Sequence, residues 1–136
     1  MLKVEGYTQP DEASVIHFIR KVQAHRQPEM EIIKRSVLIK DGLEVVGMVS
    51  YESHDDLGMI RYLLYDARVA GVDIIVEMFF ELYKKAYEKG IKKLTAQIPS
   101  QEVGTLFELL GFEAVGGRAS FQGNAADVVM SIALDK

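Results

Sequence analysis

The segment from Asp73 to Gly90 constrains the fold more than any other part of this chain, because its apolar residues recur at the spacing of one helix face. Glu81 and Lys85 form an i,i+4 pair on another face, and Gly90 is a natural C-terminal stop. The pattern therefore predicts a long amphipathic helix over residues 73–89. Its apolar face consists of Ile75, Met78, Phe79, Leu82 and Ala86.

Segments with strand character flank this helix on both sides. A strand is expected over residues 59–65, and residues 91–98 read as another strand directly after Gly90. A strand, a helix and a second strand in this order imply a right-handed parallel crossover. The helix is thus predicted to connect two parallel strands of one sheet.

An Asp-Gly pair upstream of the crossover marks a hairpin. Asp41 and Gly42 separate two runs rich in β-branched and apolar residues, 36–40 and 43–52. This pair between two such runs is the strongest short-range hairpin signal in a sequence. With the strand at 59–65, reached through a polar link, the region predicts a three-stranded antiparallel meander.

The remaining elements are expected near the two ends of the sequence. Thr8, Pro10 and Asp11 have the character of a helix start, and apolar residues at helical spacing continue that helix to Val22. Residues 101–110 predict a short helix that is stopped by Gly111. A closing hairpin is expected from residues 112–121 and 127–134, with the turn at Gln122-Gly123-Asn124.

Length and composition narrow the class of protein. A chain of 136 residues, 49% of them hydrophobic, fits a single domain over residues 1–136. It contains no cysteine, which excludes disulfides and Cys-based metal sites, and we expect no metal. The net charge of -4 disfavours nucleic acid as a partner, although a local basic patch remains compatible with it. No apolar run approaches the roughly 20 residues of a membrane span, so we expect a soluble, cytoplasmic protein without a membrane partner.

Two motifs and their order resemble the GNAT family of acetyl-CoA-dependent N-acetyltransferases. The first is Glu88-Lys89-Gly90-Ile91-Lys92-Lys93-Leu94, and the second is Leu106-Phe107-Glu108-Leu109-Leu110-Gly111-Phe112-Glu113. Asp127-Val128-Val129-Met130 is similar to the usual ending of the family. The resemblance covers nearly the whole chain and implies an α/β fold with a mixed, mostly antiparallel sheet and helices on both faces.

The resemblance also implies where acetyl-CoA would be held. The end of the third strand, at Leu63, Leu64 and Tyr65, would bind the pantetheine arm through its edge. Backbone N–H groups of the following turn and helix N-terminus would cradle the pyrophosphate. The residues implied for this second part are Arg68, Ala70, Gly71, Val72, Asp73, Ile74 and Ile75.

This turn departs from the family pattern, Arg/Gln-Gly-x-Gly-x-Gly/Ala, at three of its positions. Ala70 stands at the leading Arg/Gln, Asp73 at the second glycine and Ile75 at the last small residue. The Asp73 carboxylate would face a pyrophosphate, or it would simply cap the helix, and we favour the cap because Asp is among the best N-cap residues. A β-branched residue at 75 would obstruct close approach to the backbone.

Two further positions leave alternatives open. Arg68 would pair with a phosphate, or form a salt bridge with Asp66 or Asp73. Phe107 matches the position where many family members carry a tyrosine that protonates the coenzyme A thiolate. A phenylalanine has no proton to give, and an aromatic residue on an apolar helix face is more often part of the core.

The side of the sheet that would face an acceptor is less defined. Glu52, His54, Asp55 and Asp56 form either an acidic rim that attracts an amine or, as we favour, a solvated turn. Tyr62 and Tyr65 would line a substrate pocket or would simply be strand residues, with even odds.

The resemblance implies an N-acetyltransferase that transfers an acetyl group from acetyl-CoA to a primary amine of a small molecule or peptide. No catalytic residue is assigned. The departures at Asp73, Ile75 and Phe107 support an alternative, a GNAT-fold module that binds or regulates without catalysis. Either protein is compatible with a homodimer.

Overall fold

A computed structural model of the chain describes residues 1–115 and 128–134, and within them a single seven-stranded sheet carries helices on both faces. The spatial order of its strands is β1-β2-β3-β4-β5-β7-β6. None of the helices in these two ranges is both long and apolar enough to cross a membrane. The strands are β1 (Leu2–Gly6), β2 (Val37–Asp41), β3 (Glu44–His54), β4 (Leu57–Tyr65), β5 (Lys93–Ile98), β6 (Glu113–Ala114) and β7 (Val128–Ala133). The helices are α1 (Glu12–Val22), α2 (Met30–Ile33), α3 (Val72–Glu88) and α4 (Gln101–Leu109).

The two faces of the sheet bury separate cores. The larger core lies between the sheet and the helices α3 and α4, and the helix residues Phe79, Leu82 and Phe107 are fully or almost fully buried in it. The smaller core lies beneath α1 and α2, where Ile19 and Ile33 are fully buried. The predicted helix over residues 73–89 is confirmed as α3, and its predicted apolar face is the one that is buried. The predicted fold class, with helices on both faces, is confirmed as well.

The predicted meander is confirmed, with a tighter second connection than expected. The strands β2, β3 and β4 pair antiparallel, and Gly42 takes a φ of 63° in the first turn. The stretch we treated as a polar link is itself mostly strand, because β3 runs to His54 and β4 begins at Leu57. Only Asp55 and Asp56 form the turn. Asp55 adopts a left-handed backbone conformation with a φ of 57°, which Asp tolerates better than most residues.

Two elements near the chain ends differ from the expectation. The strand β1 was not predicted, because it offers only Leu2 and Val4 as alternating apolar residues; it forms by pairing antiparallel with β2. The Lys40 ammonium of β2 stabilises β1 through an ion pair with the Glu5 carboxylate at 3.0 Å. It also lies 2.7 Å from the Asp11 carboxylate. The closing hairpin is present as an antiparallel pair of β7 with the short strand β6. Its expected turn at Gln122-Gly123-Asn124 lies outside the described residues.

The strands β4 and β5 are parallel neighbours for only three residue pairs. The pairing joins Leu57, Gly58 and Met59 to residues 93–95, and beyond it β4 continues for six residues with no partner on that side among the described strands. Gly58 stands in the middle of this junction, where a Cβ would lie 2.6 Å from Leu94 Cδ2 and 2.9 Å from Tyr51 Cδ2. The close approach of the two strands therefore depends on glycine at this position.

Gly58→Ala is expected to destabilise the protein by about 1–3 kcal/mol, because a methyl group at this position overpacks the core between Leu94 and Tyr51. Urea denaturation of the wild type and the variant measures the loss. The matched test repeats the change in a Leu94→Ala background, where the space has been opened. A loss that is equally large in that background would show that overpacking against Leu94 is not the cause.

Candidate functional site

The divergence of β4 and β5 opens a groove in the middle of the sheet, which we call the wedge groove. It consists of two adjoining cavities of about 460 and 270 Å³ that share Tyr65, Val103 and Leu106 as lining residues. The larger cavity extends to the N-terminus of α3, at Ala70, Gly71 and Val72. The smaller one extends along β4 and β5 to Ile60 and Ala96. The groove therefore joins the free edge of β4 to the start of α3.

The backbone of β4 offers hydrogen-bonding groups to this groove. Asp66 N–H donates to the Val46 carbonyl at 2.9 Å, so at this end of the strand residue 66 faces β3. Because the backbone groups of successive strand residues alternate between the two neighbours, Leu63 and Tyr65 direct theirs to the side that β5 has left. Leu64 is the exception among the residues predicted here, since its backbone faces β3 and its side chain lies in the core beneath α1.

The N-terminus of α3 is open toward the same groove. The first helical hydrogen bond runs from Ile75 N–H to the Gly71 carbonyl at 3.2 Å, so the N–H groups of Val72, Asp73 and Ile74 have no partner within the helix. Gly71 is the N-cap residue, and no side chain in the described part of the chain caps this helix end. The prediction that Asp73 caps the helix is wrong: Asp73 lies in the first turn, two residues after the N-cap position, and its carboxylate is exposed.

Ile75 obstructs the helix N-terminus less than the sequence suggested. Its side chain is 3% exposed and belongs to the larger core, where it forms part of the floor of the groove together with Ala70. A Cβ at Gly71 would meet no atom within 4 Å, so the backbone there is approachable from outside. The bulk of residue 75 is thus accommodated inside the protein.

Charges around this helix start are mainly negative. The Arg68 guanidinium binds the Asp66 carboxylate through two hydrogen bonds of 3.0 Å each, which is one of the alternatives left open for Arg68. The same hydrogen bonds are the main reason that the pKa of Asp66 lies below its usual value. Asp73 and the groove residue Glu102 add two exposed carboxylates. Only part of the positive potential of the helix end therefore remains available to an anion.

Phe107 belongs to the core, as favoured from the sequence. It is 2% exposed, and its ring lies edge-to-face with Phe79 and Phe112, with centroid separations of 5.6 and 4.9 Å. It also forms part of the wall of the smaller cavity. The groove therefore meets a hydrocarbon ring at this position.

The opposite face of β4 is covered by the segment between α1 and α2. Tyr62 is fully buried there: its hydroxyl accepts a hydrogen bond from Glu29 N–H at 3.1 Å, and the Arg26 guanidinium lies 3.8 Å from its ring centroid. Arg26 also donates to the Arg61 carbonyl at 2.6 Å, where a register shift leaves Arg61 as an extra residue in β4. Tyr62 and Tyr65 therefore do not share a pocket, since they lie on opposite faces of the strand.

The candidate acidic rim is neutralised at Glu52. Arg61 forms ion pairs with Glu52 and, at 3.2 Å, with Glu29, and His54 Nε2 lies 3.0 Å from the second Glu52 oxygen. Asp55 and Asp56 are exposed in the turn, which agrees with the favoured interpretation of a solvated turn. Within the described residues no group of three or more His, Asp or Glu side chains is placed to hold a metal ion.

Several groove residues were not identified from the sequence. Val103 and Leu106 of α4 line both cavities, and Gln97 and Pro99 at the end of β5 line the smaller one. The spacing of Val103 and Leu106 marks one apolar face of a short helix, but nothing in that spacing tells a face that borders a groove from one that is buried.

Comparison with known proteins identifies the fold. No protein-family model matches the chain, and no curated protein matches it. Similar solved structures include an aminoglycoside 6'-N-acetyltransferase complexed with coenzyme A, with a TM-score of 0.78, 12% identity and coverage of 98% of each chain. A GNAT-family acetyltransferase from Staphylococcus aureus Mu50 has a TM-score of 0.75 and 15% identity, over 99% of this chain and 100% of its own.

A third similar structure is N-acetylglutamate synthase from Neisseria gonorrhoeae, complexed with coenzyme A and N-acetyl-glutamate, with a TM-score of 0.74 and 17% identity. The match covers all of the present chain but only 36% of that synthase chain. The chain therefore has the α/β fold of the GNAT acetyltransferases.

Tyr62→Phe is expected to cost about 1 kcal/mol of stability, because it leaves Glu29 N–H without the acceptor that orders the segment before α2. Amide hydrogen exchange should become faster over residues 26–30 and stay unchanged in α3. The control is Tyr65→Phe, which removes the same atom from the other face of β4. Equal effects of the two changes would contradict the role of the Tyr62 hydroxyl.

Proposed function

We propose that this protein is an N-acetyltransferase that binds acetyl-CoA in the wedge groove and transfers its acetyl group to a primary amine of a small molecule or peptide. The observation that carries the proposal is the junction of an open strand edge with an open helix N-terminus in one groove. The likeness of the whole fold to acetyltransferases, two of them crystallised with coenzyme A, supports it.

The groove residues fit the two ends of acetyl-CoA in different ways. The amide groups of a pantetheine arm match the outward backbone groups of Leu63 and Tyr65, as an added strand would. The N–H groups of Val72, Asp73 and Ile74 match the oxygens of a pyrophosphate. The Asp73 carboxylate opposes this second contact, so we expect binding that is weaker than the backbone alone would give.

The transfer itself requires little from the side chains of the groove. A neutral amine nitrogen bonds to the acetyl carbon, the carbon–sulfur bond breaks, the nitrogen gives up a proton and the sulfur takes one up. With Phe107 at the groove wall, that last proton comes from water or from the amine nitrogen itself, which becomes acidic once it has bonded to the acetyl carbon. The chain contributes by aligning the thioester with the amine and by excluding water along the apolar wall of Val103 and Leu106.

A second candidate function rests on Phe107 and Asp73. Phe107 supplies no acid, and Asp73 carries a negative charge at the helix start that would hold the pyrophosphate. Both features suit a GNAT-fold module that binds or regulates a partner and performs no chemistry. The two functions predict different results for the release of coenzyme A.

Calorimetric titration with acetyl-CoA, followed by assay of free thiol released in the presence of a panel of primary amines, separates the two candidates. Binding with thiol release that depends on the amine supports the enzyme. Binding without release, or no binding at millimolar acetyl-CoA, excludes the acetyltransferase and leaves the binding module.

Asp73→Asn is expected to tighten acetyl-CoA binding about two- to fivefold, because a carboxylate about 8 Å from a phosphate costs roughly 0.5–1 kcal/mol across solvent. The titration is run at low ionic strength, since salt screens this repulsion. The matched control is Glu77→Gln, which removes the same charge one turn farther along the exposed face of α3. A gain in affinity of equal size in both variants would mean that overall charge, rather than the position of Asp73, limits binding.

Phe107→Tyr is expected to raise the rate of acetyl transfer by about tenfold or more, because the new phenol stands at the groove wall as a proton donor. The same hydroxyl enters a buried aromatic cluster, so the free energy of unfolding should fall by about 1–2 kcal/mol. Phe112→Tyr is the control, since Phe112 is equally buried in that cluster but does not line the groove. Equal rates in the two variants would argue against an acid at position 107.

A further inference from the structure

A cavity of about 200 Å³ lies beneath the C-terminal half of α3, on the opposite end of this helix from the wedge groove, and we call it the basic pocket. Lys85 and Lys89 border it from α3, and Lys34 and Arg35 border it from the connection between α2 and β2. Glu88 is the only carboxylate among the described residues that line it. In a chain with a net charge of -4, four cations around one small cavity reverse the local sign of the potential.

Ser36, one of the residues that line this pocket, carries a buried hydroxyl. Ser36 is 2% exposed, and among the described residues its Oγ has no hydrogen-bond partner. Its backbone is satisfied, because its N–H donates to the Ile33 carbonyl at 3.0 Å and its carbonyl accepts from Tyr7 N–H at 2.9 Å. An unpaired buried hydroxyl destabilises a protein, so an acceptor supplied by a ligand beside Ser36 would stabilise this one.

Two tyrosines add neutral donors to the same wall. Burial raises the pKa of both Tyr7 and Tyr51. The nearby charge of Arg35 opposes this effect at Tyr51 but does not outweigh it. Both phenols therefore keep their proton at neutral pH. Gly6 allows Lys85 to cross the end of β1, since a Cβ there would lie 2.6 Å from Lys85 Cε. The local backbone is thus compatible with a lysine that reaches over the strand to the pocket.

We propose that the basic pocket binds a tetrahedral oxyanion, either inorganic phosphate or the phosphate group of a small phosphomonoester. Cations and hydroxyl donors around one cavity are the chemistry that such an anion requires. The site is independent of the proposed acetyltransferase function. Gly71 and Lys85 are 14 residues apart along α3, which corresponds to about 21 Å at roughly 1.5 Å per residue.

Existing contacts compete with a ligand for the charges of the site. Lys85 lies 3.6 Å from the Glu81 carboxylate, Lys34 lies 3.8 Å from that of Glu31, and Arg35 donates to the Glu31 carbonyl at 2.8 Å. These side chains must share their charge with a ligand, and the C-terminal end of α3 repels an anion. Because of this competition and repulsion, the pocket favours a ligand with two negative charges over a single carboxylate.

Thermal unfolding of the whole chain at constant ionic strength tests the proposal, with inorganic phosphate and glycerol 3-phosphate titrated in parallel. A rise in Tm of about 3–6 °C is expected at ten times the dissociation constant, and above that constant Tm should grow with the logarithm of the phosphate concentration. The ligand that gives the larger rise at equal concentration identifies which source of phosphate the pocket prefers. A rise that is linear in concentration from the start overturns the proposal, because excluded phosphate stabilises any folded protein in that way.

Variants then locate the site. The Lys85→Gln/Lys89→Gln double variant should lose the logarithmic rise, whereas Lys92→Gln/Lys93→Gln, with the same change of charge on exposed residues outside the pocket, should keep it. Ser36→Ala should weaken phosphate binding about fivefold or more while its Tm without phosphate stays the same or increases. A fall in that Tm, or an unchanged rise with phosphate in the double variant, would show that these residues do not form the site.

Discussion

The short parallel contact between β4 and β5 is the constraint on which the rest of the structure depends. Three residue pairs hold the two strands together around Gly58, where a Cβ would force Leu94 or Tyr51 to shift. Beyond these pairs the strands diverge, and Val103 and Leu106 of α4 line the opening between them. The same junction therefore keeps the sheet continuous and produces the groove.

Helix α3 links this groove to the rest of the molecule. Its buried face carries the larger core, its open N-terminus forms one end of the wedge groove, and its C-terminal lysines border the basic pocket. A helix fixed by core residues such as Phe79 and Leu82 holds the groups at its two ends in constant positions. The departures at Asp73 and Phe107 change the chemistry of the groove without disturbing this packing, since one side chain is exposed and the other fills the core.

Much of the fold was predictable because its signals are local. The apolar period of α3, the Asp-Gly turn before β3 and the glycine stops at Gly90 and Gly111 each depend on residues that are near one another in sequence. The strand β1 was missed because its stability comes from pairing with β2 and from Lys40, which lies 35 residues from Glu5. At the site, the strand end and the turn were predicted from resemblance, whereas the contribution of α4 was not.

The order of the predicted elements, the residues near the start of α3 and the lack of cysteine can be read from the chain alone. The folded structure adds that Gly71 rather than Asp73 is the N-cap of α3, that the Arg68 side chain pairs with Asp66, and that Ile75 is buried in the core. It also places Ser36, whose hydroxyl has no partner among the described residues, in the lining of a cavity with lysines from a distant helix. The N-cap and the Arg68–Asp66 pair are local choices among several that the sequence allows. The burial of Ile75 and the setting of Ser36 depend on contacts between segments far apart in the chain, which no local pattern encodes.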